Sequence, residues 1–179
     1  GKKRVPAGRT CQYCRKKTEI FAFLSPFLYS NERLRSVIHA FKYNRIGPAG
    51  EPLAELLVKY LRYFEITLPA RVLLVPIPLH PAKERVRGFN QARLIAERVS
   101  LALGIPLASN LLRRTKNTEA QVLLEAGMRR KNVQGAFSVK DAEILRNKTI
   151  VLLDDVKTTG ATLEEAARVL KMAGAKRIW

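Results

Sequence analysis

Length, composition and charge narrow the class of protein. The chain has 179 residues, 47% hydrophobic and 27% charged, a globular composition that leaves little room for two full domains. No apolar stretch is long enough to span a bilayer, and the N-terminus lacks the apolar core of a secretory signal, so we expect a soluble, cytoplasmic protein with no membrane segment. The net charge of +18 predicts a polyanionic partner, nucleic acid or a highly phosphorylated ligand, unless the organism's proteins are simply basic.

A basic segment opens the chain. Residues 1–17 contain seven Lys and Arg and no acid, and they surround Cys11 and Cys14 in the spacing C-x-x-C. With no third cysteine, a disulfide framework is not expected. The pair supplies two of the four ligands of a zinc site, so it predicts a zinc half-site, a redox pair or a reduced turn.

Two helices and an interior strand follow. A short strand at residues 27–29 is followed by apolar residues at helical spacing in 34–41, and a second amphipathic helix spans 53–64. Residues 72–77 are continuously apolar, which predicts a strand buried on both faces. Prolines at 78 and 81 then predict a sharp loop, in which His80 is a loop residue rather than a base.

Basic residues follow this proline-rich turn. Lys83, Arg85, Arg87 and Gly88 precede a predicted helix that opens at Asn90 and has one apolar face as far as Leu103. Cations on a strand–loop–helix connection can clamp a phosphate group, so this segment predicts a pyrophosphate site.

A long polar stretch separates the next two predicted strands, at 107–112 and 135–139. Such a length without apolar order is typical of a lid or hood. Its basic residues also suggest contact with nucleic acid; they include Arg113, Arg114, Lys116, Arg129 and Arg130.

The most informative stretch is residues 150–163. Ile150 to Leu153 predict a buried parallel strand, and Asp154 and Asp155 lie at its carboxyl end, where open α/β sheets bind ligands. A loop of small residues at 158–162, with Gly160 allowing a tight turn, leads into a helix. Thr162 and Glu165 fit an S/T-x-x-E capping box at the start of that helix, and residues 175–179 begin one more strand.

This arrangement places hydrogen-bond acceptors on one side and donors on the other. Carboxylates suit ribose hydroxyls, whereas the loop hydroxyls, backbone N–H groups and helix N-terminus suit a 5′-phosphate. A strand–turn–helix with two exposed acids is the bland alternative. A nucleoside triphosphate site would need G-x-x-x-x-G-K-[ST], which the sequence lacks.

The order of residue types resembles the phosphoribosyl pyrophosphate (PRPP) motif of type I phosphoribosyltransferases. That resemblance implies a Rossmann-type parallel sheet with helices on both faces, and Mg²⁺ bound with PRPP. It implies that Asp154 and Asp155 are the catalytic acids on the ribose. The implied PRPP loop comprises Lys157, Thr158, Thr159, Gly160, Ala161 and Thr162.

Matches along nearly the whole chain are similar to the ComF family. They include the CxxC pair, His-Ala-Phe-Lys-Tyr at 39–43, Val-Pro-Ile-Pro-Leu-His-Pro at 75–81, Arg-Gly-Phe-Asn-Gln at 87–91, and the Thr118…Gln121 pair. The resemblance implies a partial zinc ribbon at 1–26 and a phosphoribosyltransferase-like domain at 27–179. Within that domain it implies a pyrophosphate loop from Pro78 to Gly88 and a mobile hood at 113–134 that includes Gln121.

The family is tied to natural competence. The resemblance therefore implies a PRPP-binding protein that handles incoming single-stranded DNA in the cytoplasm, with other competence proteins as partners. A phosphoribosyltransferase of nucleobase salvage is the alternative function, and the acceptor of any transfer is not named by the sequence.

Overall fold

A parallel sheet forms the centre of the fold. The computed structural model describes residues 8–26, 36, 38, 50–118, 126–157 and 159–179. The strands β1 (Val72–Pro76), β4 (Thr149–Leu153) and β5 (Arg177–Ile178) are parallel and lie in the order β1-β4-β5. Single parallel bridges extend this sheet at both edges, from Leu107 to Leu74 and from Ile20 to Ile178. The predicted parallel α/β sheet is confirmed.

Helices cover both faces of the sheet because its strands are apolar on both sides. On one face, α2 (Gly50–Tyr63) and α4 (Gln91–Leu103) pack on Leu74 and Leu153. On the other, α6 (Ala161–Met172) packs on Ile150. The pleat explains this division, since neighbouring residues of one strand point to opposite faces.

A second, antiparallel pair of strands adjoins this core. It consists of β2 (Leu112–Arg114) and β3 (Phe137–Val139), connected through α5 (Ala126–Val133). Leu112 and Phe137 belong to the same apolar cluster as Ile150, so the pair is fixed to the sheet. We call β2, α5 and β3 the hood, although the predicted hood range of 113–134 stays a prediction.

Several predicted elements differ from the structure. The proline-rich connection holds a helix, α3 (Pro81–Arg87), where a loop was predicted. The strand predicted at 107–112 is reduced to one bridge at Leu107, with the paired strand beginning at Leu112. The strand at 27–29 and most of the helix at 34–41 lie outside the described residues.

The buried end of β4 offers a stability test. Ile150 is 0% exposed, so Ile150→Val removes one buried methyl group and should lower the free energy of unfolding by about 1 kcal/mol. Ile144, in the 3-10 turn Glu143–Leu145, is 38% exposed, and Ile144→Val should change it by less than about 0.5 kcal/mol. Urea unfolding of both variants checks this, and equal losses would contradict the placement of Ile150 in the core.

Candidate functional site

The acid pair lies where β4 ends. Asp154 and Asp155 directly follow Leu153, and the Asp155 N–H donates to Asp154 Oδ1 at 2.9 Å. Both residues are half-buried, next to the end of the parallel strand β1. The acids therefore occupy the carboxyl edge of the sheet, where ligands bind in this class of fold.

The loop after the acids ends at the N-terminus of α6. Gly160 is the N-cap residue, with φ of +85°, a value that side-chain-bearing residues rarely adopt. The Ala161 N–H donates to Thr159 Oγ1 at 3.4 Å. Thr158 lies outside the described residues. The loop thus brings first-turn N–H groups of a twelve-residue helix next to the acids.

The predicted capping box is wrong. Because the helix begins at Ala161, its N-cap is Gly160, and Thr162 is already inside the first turn. Glu165 instead accepts the Gly135 N–H at 2.7 Å and pairs with Arg168, whose Nε and Nη2 lie 2.9 and 2.7 Å from its two oxygens. The Arg168 hydrogen bonds lower the pKa of Glu165 most, burial opposes them, and the Gly135 N–H lowers it further. Glu165 therefore connects α6 to the hood.

The predicted pyrophosphate residues of helix α3 differ in their exposure and in their contacts. His80 caps it, its Nδ1 accepting the Ala82 N–H at 3.2 Å, and Gly88 ends it with φ of +86°. Arg85 is exposed, whereas Lys83 and Arg87 are half-buried on the hood side. Lys83 Nζ donates to the Thr118 carbonyl at 2.5 Å, and Arg87 donates to Gln91 Oε1 at 3.3 Å. Pro78, before the helix, is half-buried.

Arg114 is a cation of the hood that faces inward. Its guanidinium lies 5.4 Å from the Phe137 ring centroid and donates to Thr118 Oγ1. Burial lowers the pKa of Arg114, and the charge of Asp154 opposes that shift, which places the guanidinium in the field of the acid pair. Its Nε is buried without a hydrogen-bond partner among the described residues, as is Nε2 of Gln91.

Three cations therefore lie close together, and one of them, Arg114, lies in the electrostatic field of Asp154. Burial lowers the pKa of Lys83 below its usual 10.5, and the charges of Arg114 and Arg87 lower it further. Burying like charges together costs free energy, and an anion between them would recover it. We call Lys83, Arg87 and Arg114 the cation cluster.

The other predicted hood residues are placed differently. Arg113 is exposed because successive residues of β2 point to opposite sides. Lys116 turns to the hood's own backbone and donates to the Gln134 carbonyl at 2.8 Å. Gln121 and the side chains of Arg129 and Arg130 lie outside the described residues.

The CxxC pair lies in a single turn. Cys11 precedes α1 (Gln12–Arg15) and Cys14 lies within it. Hydrogen bonds from Cys14 lower the pKa of the Cys11 thiol. Over the described ranges, no group of three or more His, Cys, Asp or Glu is arranged to hold a metal ion. The zinc site stays a prediction.

Little in the sequence predicts several contacts of the candidate site. Thr118 joins Lys83 to Arg114, and Gln91 partners Arg87. Both residues belong to motifs of the ComF resemblance, which was the only available signal. For Glu165 the sequence pattern predicts a capping box, not the contacts with Gly135 and Arg168.

Fold and site together define a class of protein. A parallel sheet whose central strand ends in two acids, a glycine-containing loop that opens a helix, and a hood with an inward cation are the parts of a phosphoribosyltransferase-like domain. The family model described as "Phosphoribosyl transferase domain" matches residues 90–179, half of the chain.

Curated relatives carry names connected with competence and DNA utilization. The chain is 34% identical over 155 residues to "Competence protein F" of Haemophilus influenzae, covering 82% of this chain and 66% of the relative. It is 32% identical over 149 residues to "DNA utilization protein YhgH" of Escherichia coli K12, covering 81% and 64%. It is 39% identical over 102 residues to "Competence protein ComFC" of Bacillus subtilis, covering 56% and 39%.

The chain belongs to the ComF family of phosphoribosyl transferase domain proteins. It spans slightly less than two thirds of the first two relatives, at 66% and 64% of their lengths. No helix in the described parts of the chain is long and apolar enough to cross a membrane.

Proposed function

We propose that this chain binds PRPP at the carboxyl edge of its sheet and serves natural competence by handling single-stranded DNA in the cytoplasm. One observation carries the PRPP part. Arg114 is half-buried, its Nε is buried without a partner among the described residues, and its guanidinium lies in the field of Asp154, so a cationic donor lies close to a carboxylate acceptor.

PRPP has hydroxyl groups that suit the carboxylates and phosphate groups that suit the cations and backbone N–H groups. Its ribose hydroxyls can donate to Asp154 and Asp155, and its 5′-phosphate can accept from the N–H groups that begin α6. Its pyrophosphate suits the cation cluster. Mg²⁺ prefers a few carboxylate oxygens together with substrate phosphates and water, so the acid pair suits an ion that arrives with PRPP.

Transfer of the phosphoribosyl group is the reaction that such a site supports. A nucleophilic acceptor would form a bond to the anomeric carbon while the bond from that carbon to pyrophosphate breaks, and both electrons leave with pyrophosphate. The cation cluster would stabilise the charge on the leaving group, and the acids would hold the ribose ring in place. No covalent enzyme nucleophile is needed.

Nucleobase salvage is the alternative function. A cavity of about 190 Å³ adjoins Asp154, Asp155 and Lys157, and its other described lining is apolar apart from Ser25 and Trp179. Recognition of a base edge requires several polar partners. The described lining therefore favours the competence proposal over salvage.

Calorimetry with PRPP tests the main proposal. The chain should bind PRPP in the presence of Mg²⁺ with a stoichiometry of about one, as expected of one site per domain. Incubation with candidate nucleobases, followed by assay of released pyrophosphate, tests salvage in the same preparation. Absence of PRPP binding with and without Mg²⁺ would overturn the proposal.

The DNA part has its own support. Arg9, Arg15 and Arg177 lie 6.0, 5.1 and 4.9 Å from the ring centroid of Phe21, and none of the three pairs with a carboxylate of the described residues. Arginine and aromatic groups together suit the phosphates and bases of a single strand. Binding of a short oligonucleotide should weaken steeply as salt is raised and should weaken further in Arg177→Gln. An affinity indifferent to salt would count against it.

Lys83 gives a prediction about pH. Since its pKa is below 10.5 in the unliganded protein, the site is partly deprotonated in the range just below pH 10.5. PRPP should raise that pKa again, so binding should take up a fraction of a proton, and the affinity should fall as the pH rises through the lowered pKa. Titrations in two buffers of different ionisation enthalpy measure this uptake. Lys83→Met should abolish it, and buffer-independent heats from the unaltered chain would contradict it.

A further inference from the structure

The N-terminal segment contacts the loop between the acids and α6. The Lys157 ammonium lies 4.1 Å from the centroid of the Phe23 ring. A Cβ placed on Gly160 would lie 3.0 Å from Lys157 Cε, so the lysine stem crosses the loop directly above that glycine. The ring therefore fixes the position of a cation next to the N-terminus of α6.

A second contact lies in the first turn of α6. The Thr18 hydroxyl donates to Glu164, with its oxygen 2.7 and 2.8 Å from the two carboxylate oxygens, and it accepts the Ile20 N–H at 3.0 Å. A carboxylate in the first turn competes with a phosphate for the positive end of the helix dipole. Thr18 holds this carboxylate toward the N-terminal segment.

The segment is itself attached to the sheet. The Phe21 N–H donates to the Ile178 carbonyl at 2.7 Å, and the Thr10 N–H donates to the Phe21 carbonyl at 2.8 Å. Ile20 and Ala22 are buried, and Phe23 packs against the same apolar cluster. Phe23 and Thr18 therefore project from a fixed support.

We infer that Phe23 and Thr18 are positioning residues of the 5′-phosphate site, acting through Lys157 and Glu164 respectively. The inference rests on the proposed PRPP binding. It makes the CxxC-containing segment part of the phosphate site: the ring holds Lys157 over the loop, and the hydroxyl holds Glu164 away from the incoming phosphate. Pyrophosphate alone, which suits the cation cluster instead, should not respond to either residue.

Three ligands distinguish this positioning role from a general loss of structure in the variants. PRPP with Mg²⁺, ribose 5-phosphate and inorganic pyrophosphate are each titrated into the unaltered chain and its variants. Phe23→Leu and Thr18→Val should weaken PRPP and ribose 5-phosphate by about threefold to tenfold and leave pyrophosphate unchanged. Phe23→Tyr keeps the ring and Thr18→Ser keeps the hydroxyl, so both variants should bind PRPP and ribose 5-phosphate as tightly as the unaltered chain.

Tyr13→Leu is the matched control, because it removes a similar contact, with Lys17 Nζ 4.7 Å from the Tyr13 centroid, in the same segment. All three affinities should be unchanged in it. If the unaltered chain binds PRPP but Phe23→Leu and Thr18→Val bind it equally well, or if pyrophosphate weakens in parallel, the inference fails and the proposed function stands. If the unaltered chain binds neither PRPP nor ribose 5-phosphate, both fail.

Discussion

Replacing Arg114 by Met is expected to weaken PRPP binding by about tenfold to a hundredfold. Charge-assisted hydrogen bonds to a desolvated anion are worth about 1.5 to 3 kcal/mol, and each 1.4 kcal/mol is tenfold in affinity. Arg114 can supply such bonds because its Nε is buried and unpartnered among the described residues. Met keeps most of the side-chain length, so contact with Phe137 is largely retained.

The stability of the same variant should change less than its affinity for PRPP. Burial lowers the pKa of Arg114, which means that the folded protein bears a desolvation cost that Asp154 only partly offsets. Arg114→Met removes this cost, so the free energy of unfolding in urea without PRPP should not fall by more than the lost bond to Thr118 explains, about 1 kcal/mol. A purely structural arginine would lose stability and binding together.

Arg113→Met is the matched control for this test. Arg113 lies next to Arg114 on β2 but is exposed, and its replacement removes the same charge from the chain. PRPP affinity should stay within about twofold, since exposed charges in high dielectric contribute little at a distance. Equal losses in the two variants would show that overall charge, rather than the inward-facing guanidinium, determines affinity.

The parts of this site that the sequence predicts are those encoded locally. The apolar run of β4, the acids that end it, and Gly160 before a helix lie within a few consecutive residues, so period and turn chemistry suffice to order them. The sheet followed from the same logic, since β1 is also continuously apolar. Local pattern thus located the carboxyl edge correctly.

Features that depend on partners distant in sequence were not predictable. Which of Arg113 and Arg114 faces inward is decided by the register of β2 on β3, where Arg114 pairs with Phe137. Glu165 fitted a capping box three residues after Thr162, but its carboxylate contacts Gly135, thirty positions away. Thr18 contacts Glu164 across 146 positions, and the sequence around either residue does not predict this contact.

The short helix α3 shows a different limit. The prolines at 78 and 81 predict a loop, yet proline is well tolerated at the first position of a helix, which Pro81 occupies, because its missing N–H costs nothing there. His80 then satisfies the Ala82 N–H as a side-chain cap. Seven residues of helix result, and they give Lys83 and Arg87, four positions apart, a shared direction that a loop would not fix.

Glu165→Ala should destabilise the fold by about 2 to 3 kcal/mol. Glu165 is 8% exposed, and its removal leaves the Gly135 N–H without its acceptor. The ion pair itself adds less than about 1 kcal/mol, because Arg168 is 45% exposed. Glu165→Gln retains an oxygen for Gly135 and should lose only about half as much. Urea unfolding at neutral pH measures both variants.

Lowering the pH should remove the contribution of the Glu165 carboxylate to the stability of the unaltered chain. The pKa of Glu165 is below its usual 4.5 in the folded protein, so the unfolded chain binds more protons in this range, and stability falls as the pH falls through the folded pKa. The difference between the unaltered chain and Glu165→Gln should therefore be complete above pH 4.5 and shrink below it. Glu143 and Arg146 have the same three-residue spacing as Glu165 and Arg168, but their charged atoms lie 3.7 Å apart and their side chains are 77% and 79% exposed. Glu143→Gln should therefore change the free energy of unfolding by less than about 0.5 kcal/mol both above and below pH 4.5. A difference between the unaltered chain and Glu165→Gln that does not vary with pH would mean that Glu165 connects α6 to the hood by shape alone, not by its charge.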